Sequence, residues 1–591
     1  MAKKKPVRKK YSCDFETTTD PNDCRVWAWG WMEIGNTENY SIGTNIDDFM
    51  SWCNKSQAEL YFHNLRFDGE FIVNWLLRNG WKHDPDGGAK TFNTIISSQG
   101  QWYMIDICYG YNGKQKLHTV IYDSYKKIPF PVRKIAKDFK LSVLKGDIDY
   151  KAYRPIGHQL TEEETTYLIH DIKIVAEALE IQFQQGLKKM TNGADAFNGF
   201  KEMIGKKEFE KYFPQMTLEM DELLRPAYKG GFTWLNDRYR EKEIGEGMVF
   251  DVVSLYPSQM YNRPLPYGMP FFFEGQYEED ENYPLYIQKI RCEFEIKPDR
   301  IPTIQIKGSV FRENEYLKSS NYETVELYLT NIDLELFFEH YNVYEIEYVC
   351  GWKFMSHIGF FKDYIDKWIY IKQTSTGAIK AIAKLMLNSL YGKFATNPDV
   401  TGKVPILAED GSTKFKLPED EDGKVIKEYG KPKYLPMGIF ITSWARYTTI
   451  STAQKCYDRI IYCDTDSLHL EGLGVPEAIK DIVHPKKLGY WAHESTFKSA
   501  RYIRQKTYVQ NLYAKEVPDE EEEGQTKLVT CDKEEATTTK LSVKCAGMPD
   551  EIKKKITFNE FVRGYTTNEG KLRPKHVPGG VVLEDTPFTI K

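Results

Sequence analysis

Phe250-Asp251-Val252-Val253-Ser254-Leu255-Tyr256-Pro257 and Tyr462-Cys463-Asp464-Thr465-Asp466-Ser467 decide the reading of this chain. Each puts carboxylates inside an apolar, strand-like tract. A carboxylate there is costly unless it is paired or holds a metal. Asp251, Asp464 and Asp466, brought together from about two hundred residues apart, would make a strongly anionic pocket. Divalent cations are its natural counter-charge. Oxygen-rich sites suit magnesium, which keeps waters and takes substrate phosphates as further ligands. An isolated Asp-x-Asp reads as a turn; the Ser-Leu-Tyr-Pro after Asp251 and the Tyr before the second pair outweigh that reading here.

At 591 residues the chain is too long for one core, and several packed units are expected. Hydrophobic content of 41%, with 14% aromatic, excludes wholesale disorder. No run of about eighteen apolar residues is present, so no membrane span is expected. The start of the chain (Lys3, Lys4, Lys5, Arg8, Lys9, Lys10) is basic with no apolar stretch behind it, which excludes a secretory signal. It reads equally as an arm touching nucleic acid or as a solvated tail. Net charge is −5, partly because an acidic run at Asp519–Glu523 offsets basic surfaces elsewhere. Local charge, not the total, governs binding. Ten scattered cysteines with no Cys-x-x-Cys pair read as reduced thiols, without zinc or disulfides.

Residues 11–190 read as an α/β unit. Tyr11–Thr17 and Val26–Ile34 are strand-like, separated by the turn Asp20-Pro21-Asn22-Asp23. A third strand, Leu60–His63, runs into a helix carrying Phe67, Phe71 and Trp75 and ending at Asn79-Gly80. A long helix starts at Thr161, with Glu164 completing a capping box. The stretch from Met190 to Ala196 reads as a linker, and the remainder as α+β. Residues 263–360 carry strand-like pieces such as Ile287–Ile296. Residues 361–395 read as a helical hairpin broken at Thr374–Gly377. Residues 399–428, polar and without periodicity, read as a protruding loop or hairpin.

The helix after the break reads Lys380-Ala-Ile-Ala-Lys384-Leu-Met-Leu-Asn388-Ser-Leu-Tyr391-Gly392. Lys384, Asn388 and Tyr391 are spaced to share one face, with Lys380 a turn earlier. Such a face can hold a triphosphate and stack a base. In the N-terminal half, Asp14-Phe15-Glu16 puts two carboxylates on one side of a strand. Asp68 follows at a helix start, where it could merely cap the helix. Tyr167 and Asp171 lie four apart on one helical face. Four carboxylates and a tyrosine suit two-metal hydrolysis, with Tyr167 orienting the attacking water.

Taken in order, Asp-x-Glu, Asn-x-x-Phe-Asp, Tyr-x-x-x-Asp, Tyr-x-Gly-Gly, Asp-x-x-Ser-Leu-Tyr-Pro, Lys-x-x-x-Asn-Ser-x-Tyr-Gly, Thr-x-x-Ala-Arg, Tyr-x-Asp-Thr-Asp-Ser and Lys-x-Tyr run through nearly the whole chain. One such motif is weak; nine in order are specific. The chain resembles the protein-primed family B DNA polymerases of small tailed bacteriophages, the phi-29-like type. The resemblance implies an α/β plus α+β multidomain fold: an N-terminal ribonuclease H-like 3′–5′ exonuclease domain (1–191) and a right-hand polymerase. The polymerase would comprise palm (192–262 and 429–537), fingers (361–398), thumb (538–591) and two insertions (263–360 and 399–428). It implies two magnesium ions per site, with manganese as a substitute. Asp251, Asp466 and the Val252 carbonyl would be ligands, with Asp464 an essential neighbour in the metal site. One ion would activate the primer 3′-hydroxyl and the other steady the pyrophosphate, about 3.5–4 Å apart.

Ser254, Leu255 and Tyr256 would contact the nucleotide, the Tyr256 ring excluding a 2′-hydroxyl; a core role for that ring is the plain alternative. Lys372, Lys380 and Lys384 would address phosphates, Asn388 would join them, and Tyr391 would meet the base. Lys506 and Tyr508 would hold the primer terminus, and Thr442 and Arg446 the template and primer backbone. In the exonuclease, Asp14, Glu16, Asp68 and Asp171 would bind metals. Thr17, His63, Asn64, Phe67, Ser124, Phe130 and Lys145 would grip single-stranded DNA, Phe67 as a stacking platform. Tyr228, Gly230 and Gly231 would bridge the two sites. Asp147 could bind a further cation or simply sit in a surface turn. Tyr125 and Lys229 depart from the leucine and arginine usual in the family. Expected partners are primer–template and single-stranded DNA, deoxynucleoside triphosphates and a terminal protein, for a monomer in the cytoplasm of a bacterial host and away from membranes. A reverse transcriptase would show Tyr-x-Asp-Asp instead, and a non-catalytic nucleic-acid scaffold would not need seven carboxylates in two constellations.

Overall fold

The computed structural model describes residues 8–306, 316–519 and 525–591. Lys3, Lys4, Lys5 and the acidic residues 520–523, which count in the charge balance, lie outside them.

The N-terminal unit is built on an eight-stranded sheet in the order Asn36–Gly43, Val26–Glu33, Lys10–Thr17, Glu59–Phe62, Gln115–Asp123, Trp102–Asn112, Thr91–Ile96, Lys82–His83. Lys10–Thr17, Glu59–Phe62 and Gln115–Asp123 run parallel at its centre; their outer neighbours are antiparallel. The apolar side chains of these central strands, among them Cys13, Phe15, Leu60, Phe62 and Ile121, are buried in the core, with Asp14 and Glu16 interspersed on the first strand. The helix Leu65–Arg78 starts at Asn64, held left-handed at φ 71°, and ends at Asn79. The helix Glu162–Gln184 carries the Thr161–Glu164 capping box. The expected third strand is the fourth in sequence, because the polar edge strand Asn36–Gly43 precedes it. No linker follows: Thr191 caps a helix, Asn192–Ile204, that starts inside the stretch read as one.

A nine-stranded sheet forms the second unit. Its main path runs Thr526–Thr530, Thr507–Pro518, Trp491–Arg504, Gly247–Val252, Ser467–Glu471, Ile460–Asp464, Thr233–Leu235. Strands from two distant stretches, 233–252 and 460–545, thereby sit side by side. The long helix Leu435–Lys455 packs against its apolar face through Ala445, Ile450 and Ala453. Residues 263–360 build a four-stranded sheet of their own and the helix Asn331–His340. The helices Lys362–Thr374 and Gly377–Ser389 pack on each other across a break at Gly377, whose φ of +57° suits glycine. The second ends at Ser389, and after Leu390, itself helical in backbone at φ −72° and ψ −50°, the short turn Tyr391–Phe394 follows. A core running through Phe200, Phe361 and Phe394 joins these helices to Asn192–Ile204.

Residues 399–428 form a small hairpin, Val404–Leu407 with Thr413–Lys416. Far from standing free, it lies on the N-terminal unit. Lys403 N donates to Ile96 O at 2.8 Å, and Asn74 Nδ2 donates to Gly411 O at 2.9 Å and to Thr413 Oγ1 at 3.1 Å. The C-terminal hairpin, Lys571–Val577 with Gly580–Thr586, reaches the same helix, where Gly579 N donates to Asn74 Oδ1 at 3.1 Å. All ten cysteines are free, and among the described residues no helix is long and apolar enough to cross a membrane.

Candidate active sites

Asp251 is the penultimate residue of the strand Gly247–Val252, opposite Ser467, while Asp464 and Asp466 flank a tight turn at Thr465, left-handed at φ 61°. The turn is pinned from both sides: Thr465 N donates to Phe232 O at 2.6 Å, and Val252 N to Asp466 O at 2.8 Å. The three aspartates thus share one end of the sheet, but their environments differ. Asp464 is satisfied by protein, accepting from Lys506 Nζ at 2.8 Å, Thr233 Oγ1 at 3.1 Å and Tyr462 OH at 3.1 Å. Asp251 has no such donors among the described residues. Burial, with Asp466, Glu494 and Asp464 nearby, pushes its carboxyl up to about 8. Burial and the Asp464 and Glu494 charges raise Asp466 too. Unsatisfied carboxylates raised by one another are what a divalent cation would relieve, since ligands bind deprotonated.

Ser254 (φ 57°) starts the helix Leu255–Asn262, and Tyr256 on it stacks on Tyr391 with ring centroids 4.0 Å apart at 15°. A side chain at Gly231 would collide with Thr465 at 2.7 Å and meet the Tyr256 hydroxyl at 3.0 Å, so the 228–231 loop backs directly onto this pair. Lys372, Lys380 and Lys384 gather on one side: burial lowers the Lys372 ammonium, as do the Lys384 and Lys380 charges. Lys380, Lys384 and Asn388 are exposed. Lys506, at the turn between two long strands, and the half-buried Tyr508 flank the carboxylates from the other side.

Thr442 and Arg446 stand elsewhere than expected. Both are buried, so neither reaches DNA directly in this conformation. Arg446 is clamped by Asp333 through Nε (3.0 Å) and Nη2 (2.6 Å), and its Nη1 donates to the carbonyls of Lys229 (2.8 Å) and Gly230 (3.0 Å). The pair fixes the loop that backs Tyr256. Thr442 turns its hydroxyl onto Gly438 O and Ile439 O, both at 3.0 Å.

The second cluster is in the N-terminal sheet. Asp14, Glu16 and Asp171 each bring a carboxylate oxygen within 4.8 Å of the others. Asp68 is buried beside Asp14 and Glu16. Burial, opposed only partly by Lys145, pushes Asp14 up to about 7 and raises Glu16 and Asp171; burial and the Asp14 charge raise Asp68. Asp171 Oδ1 is buried with no hydrogen-bond partner, an open ligand atom. Lys145, expected on DNA, is ion-paired with Asp171. Tyr167 OH lies 2.5 Å from Tyr150 OH. His63 bonds Ser124 Oγ at 2.9 Å and Phe130 O at 2.7 Å, and burial pushes it down to about 4. Ser124 is fully buried, so it holds His63 and cannot itself reach a strand. Thr17, Asn64, Phe67 and Phe130 keep surface exposure around the cluster. Asp147, read as a cation ligand or a surface turn, is largely exposed and pairs with Arg133 at 2.6 Å.

Three residues escaped the sequence reading. Glu494 sits in the bulge where Trp491–Arg504 pairs with Val249 and Phe250. Asp333 lies on the helix Asn331–His340, and both it and Tyr150 stand outside every motif. Only Glu494 left a trace, as a lone acid in an aromatic strand.

Carboxylates on two separate sheets, one set beside a lysine-bearing helix, suit metal-dependent chemistry on phosphodiesters, and family likeness gives the class as DNA polymerase. The chain belongs to the family described as DNA polymerase type B, organellar and viral, which matches residues 50–485. It is 63% identical over 585 residues to the DNA polymerase of Bacillus phage Nf, covering 99% of this chain and 100% of that one. It superposes on phi29 DNA polymerase complexed with single-stranded DNA (TM-score 0.93, 61% identity, 99% of this chain and 100% of that one). It also superposes on phi29 DNA polymerase complexed with primer-template DNA and incoming nucleotide substrates (TM-score 0.92, 62% identity, the same coverage). The chain is a DNA-directed DNA polymerase.

Proposed function

We propose that this polymerase replicates a phage genome by protein-primed, processive, strand-displacing synthesis with 3′–5′ proofreading, as a monomer in the host bacterial cytoplasm. We assign residues 1–191 to the exonuclease, 192–262 and 429–537 to the palm, 361–398 to the fingers and 538–591 to the thumb. The insertions 263–360 and 399–428 are assigned to terminal-protein binding, and the second also to strand displacement. The observation that carries this reading is the presence of two carboxylate clusters on separate sheets, each with raised, unneutralised acids.

In the polymerising site Asp251, Asp466 and the Val252 carbonyl would hold magnesium, for which manganese can substitute, and Asp464 completes the acidic site. The bound ions would supply Lewis acidity to the primer hydroxyl and to the leaving pyrophosphate. Lys372, Lys380 and Lys384 draw in the triphosphate, Asn388 beside them, and Tyr391 supports the base. Ser254 and Leu255 turn the chain so that the Tyr256 ring fills the space a 2′-hydroxyl would need. Lys506 and Tyr508 steady the primer end. In the exonuclease Asp14, Glu16, Asp68 and Asp171 form the metal-binding set, and Tyr167 orients water. Tyr228, Gly230 and Gly231 guide the strand between sites.

Asp251→Ala or Asp466→Ala should abolish synthesis and leave degradation of single strands intact. Asp14→Ala with Asp68→Ala should do the reverse. Loss of both activities from any one folded variant would refute the two-site reading. Incubating the enzyme with a terminal protein and labelled deoxynucleotide tests priming; absence of a covalent protein–nucleotide product would refute it.

A further inference from the structure

The edge of the N-terminal sheet opposite its carboxylates carries a cleft of about 1580 Å³ that neither catalytic site uses. It lies at the starts of the parallel strands Lys10–Thr17, Glu59–Phe62 and Gln115–Asp123, whereas Asp14, Glu16, Asp68 and Asp123 lie toward their far ends. The volume exceeds the roughly 300–1,000 Å³ of small-ligand pockets, so a polymer fits the space better than a single small anion.

Arg8, Lys9, Lys10, Lys114, Lys116 and Lys188 line it, against three carboxylates. Lys9 pairs with Glu33 at 3.0 Å, Lys10 with Glu59 at 2.7 Å and Lys116 with Asp106 at 2.7 Å. Arg8, Lys114 and Lys188 have no ion-pair partner among the described residues; Glu180 is the one lining acid without one. These three cations come from the first strand's approach, a hairpin tip and the end of a long helix. Three unpaired cations against one unpaired acid leave a positive excess along the walls, which concentrates the field there and attracts a polyanion. The Phe183 ring on the floor is covered by Lys10 at 4.8 Å and Lys127 at 5.7 Å, so base stacking is closed off and binding would go to backbone. Backbone binding of that kind is sequence-independent.

We propose that this cleft is a second, non-cleaving site for the phosphodiester backbone of single-stranded DNA. Its place beyond the sheet from the exonuclease carboxylates keeps a bound strand away from hydrolysis. Both the strand displaced from the template and the unpaired template ahead of the primer have the right chemistry. The site deepens the strand-displacement reading only if the first of these is its ligand.

The test measures binding without metal, so that nothing is cut, on three substrates: primer–template alone, with a thymidine tail on the displaced strand, and with a thymidine extension on the template 5′ end. The wild-type enzyme should bind at least one tailed substrate about tenfold more tightly than the tail-less one. Lys114→Glu with Lys188→Glu should remove that increment and leave tail-less binding, melting temperature and single-nucleotide addition unchanged. The salt slope on the tailed substrate should fall by about 0.7 for each phosphate no longer neutralised. Lys114→Gln with Lys188→Gln serves if the reversal does not fold. A photoreactive 4-thiothymidine tail should cross-link to peptides holding Lys114 or Lys188. No increment in the wild type, an increment kept by the folded variants, or equal competition by polyglutamate would overturn the proposal. Retention of the increment on the template extension alone would keep the site and separate it from strand displacement.

Discussion

Lys506 Nζ lies 2.8 Å from Asp464 Oδ1, the turn of one hairpin reaching the turn of another across 42 residues. This ion pair splits three neighbouring aspartates into two kinds. Among the described residues Asp464 has a cation and two hydroxyl donors, while Asp251 has none and Asp466 only its own amide. Asp464 is therefore held in place by the protein, and the other two are the carboxyls whose ionisation burial and mutual repulsion oppose.

Replacing Lys506 with alanine removes the cation and leaves Asp464 to its neutral donors. A hydrogen bond to a charged group contributes about 1.5–3 kcal/mol. Primer extension should fall by about 10- to 100-fold, with degradation of single strands unchanged. Lys506→Arg should restore part of the rate. A steady-state comparison of the three enzymes checks this, and equal loss of both activities would refute it.

Asp251 gives a pH signature. Its folded carboxyl titrates at about 8, against an ordinary value of 3.8. Across that window the folded protein holds a proton that the unfolded chain has released. Metal-free stability must therefore fall as pH rises from about 4 to about 8 and level off beyond. Asp251→Asn should flatten part of that fall and raise the melting temperature of the metal-free enzyme near pH 8 by several degrees. Thermal melts in chelator at graded pH check it. A variant that melts lower throughout would contradict the sign.

Tyr256→Val should raise relative use of ribonucleotides by tenfold or more, because the ring occupies a packed space between Tyr391 and Gly231. Competition between a ribonucleotide and its deoxy counterpart in single-nucleotide addition reads the ratio. Unchanged selectivity with normal deoxynucleotide use would reduce Tyr256 to a core residue.

Local features were legible in the sequence. Thr161 and Glu164 announced their helix because a capping box is complete within four residues. The break at Thr374–Gly377 was visible because glycine and polar residues interrupt an apolar period. Asn36–Gly43 was not: it is an edge strand bonded on one side only, with a polar face and little hydrophobic signature. The helix at 192–204 hid behind Thr-Asn-Gly, which reads as a loop but serves as a cap. Motifs point to single residues and say nothing of the partners that distant segments bring to them. Arg446 illustrates this: its motif suggested DNA, whereas the guanidinium is taken by Asp333 from a different part of the fold, 113 residues away.

That buried pair supplies a further expectation. Asp333→Ala leaves the Arg446 guanidinium buried without its carboxylate, a loss of roughly 3–5 kcal/mol when one partner of such a pair is removed. Stability should drop markedly, and nucleotide selection should loosen because the Lys229 and Gly230 carbonyls lose a fixed anchor. Asp333→Leu with Arg446→Met should recover much of the stability but not the selection. Denaturant melts paired with misincorporation assays separate the two effects; full recovery of both would refute a positioning role for the pair.

The hairpin at 399–428 is held by groups from elsewhere in the chain. Phe415 meets Trp102 with ring centroids 5.2 Å apart, and Asn74 bonds both Gly411 and Thr413. The C-terminal hairpin reaches the same helix through Gly579. Segments far apart in sequence thus meet on one helix, and a small set of side chains docks the arm there. If it closes over DNA, removing it should speed dissociation and leave the chemistry alone, since affinity differences between related complexes lie mostly in off-rates. Deleting 399–428 with a short Gly/Ser join should leave single-nucleotide addition near normal and abolish long products and synthesis through duplex, most visibly at higher salt, where phosphate binding weakens. Asn74→Ala, which only loosens the dock, should shorten products severalfold without deleting anything. Full-length strand-displaced product from the deletion enzyme, with a trap present to prevent rebinding, would make the hairpin an ordinary surface loop.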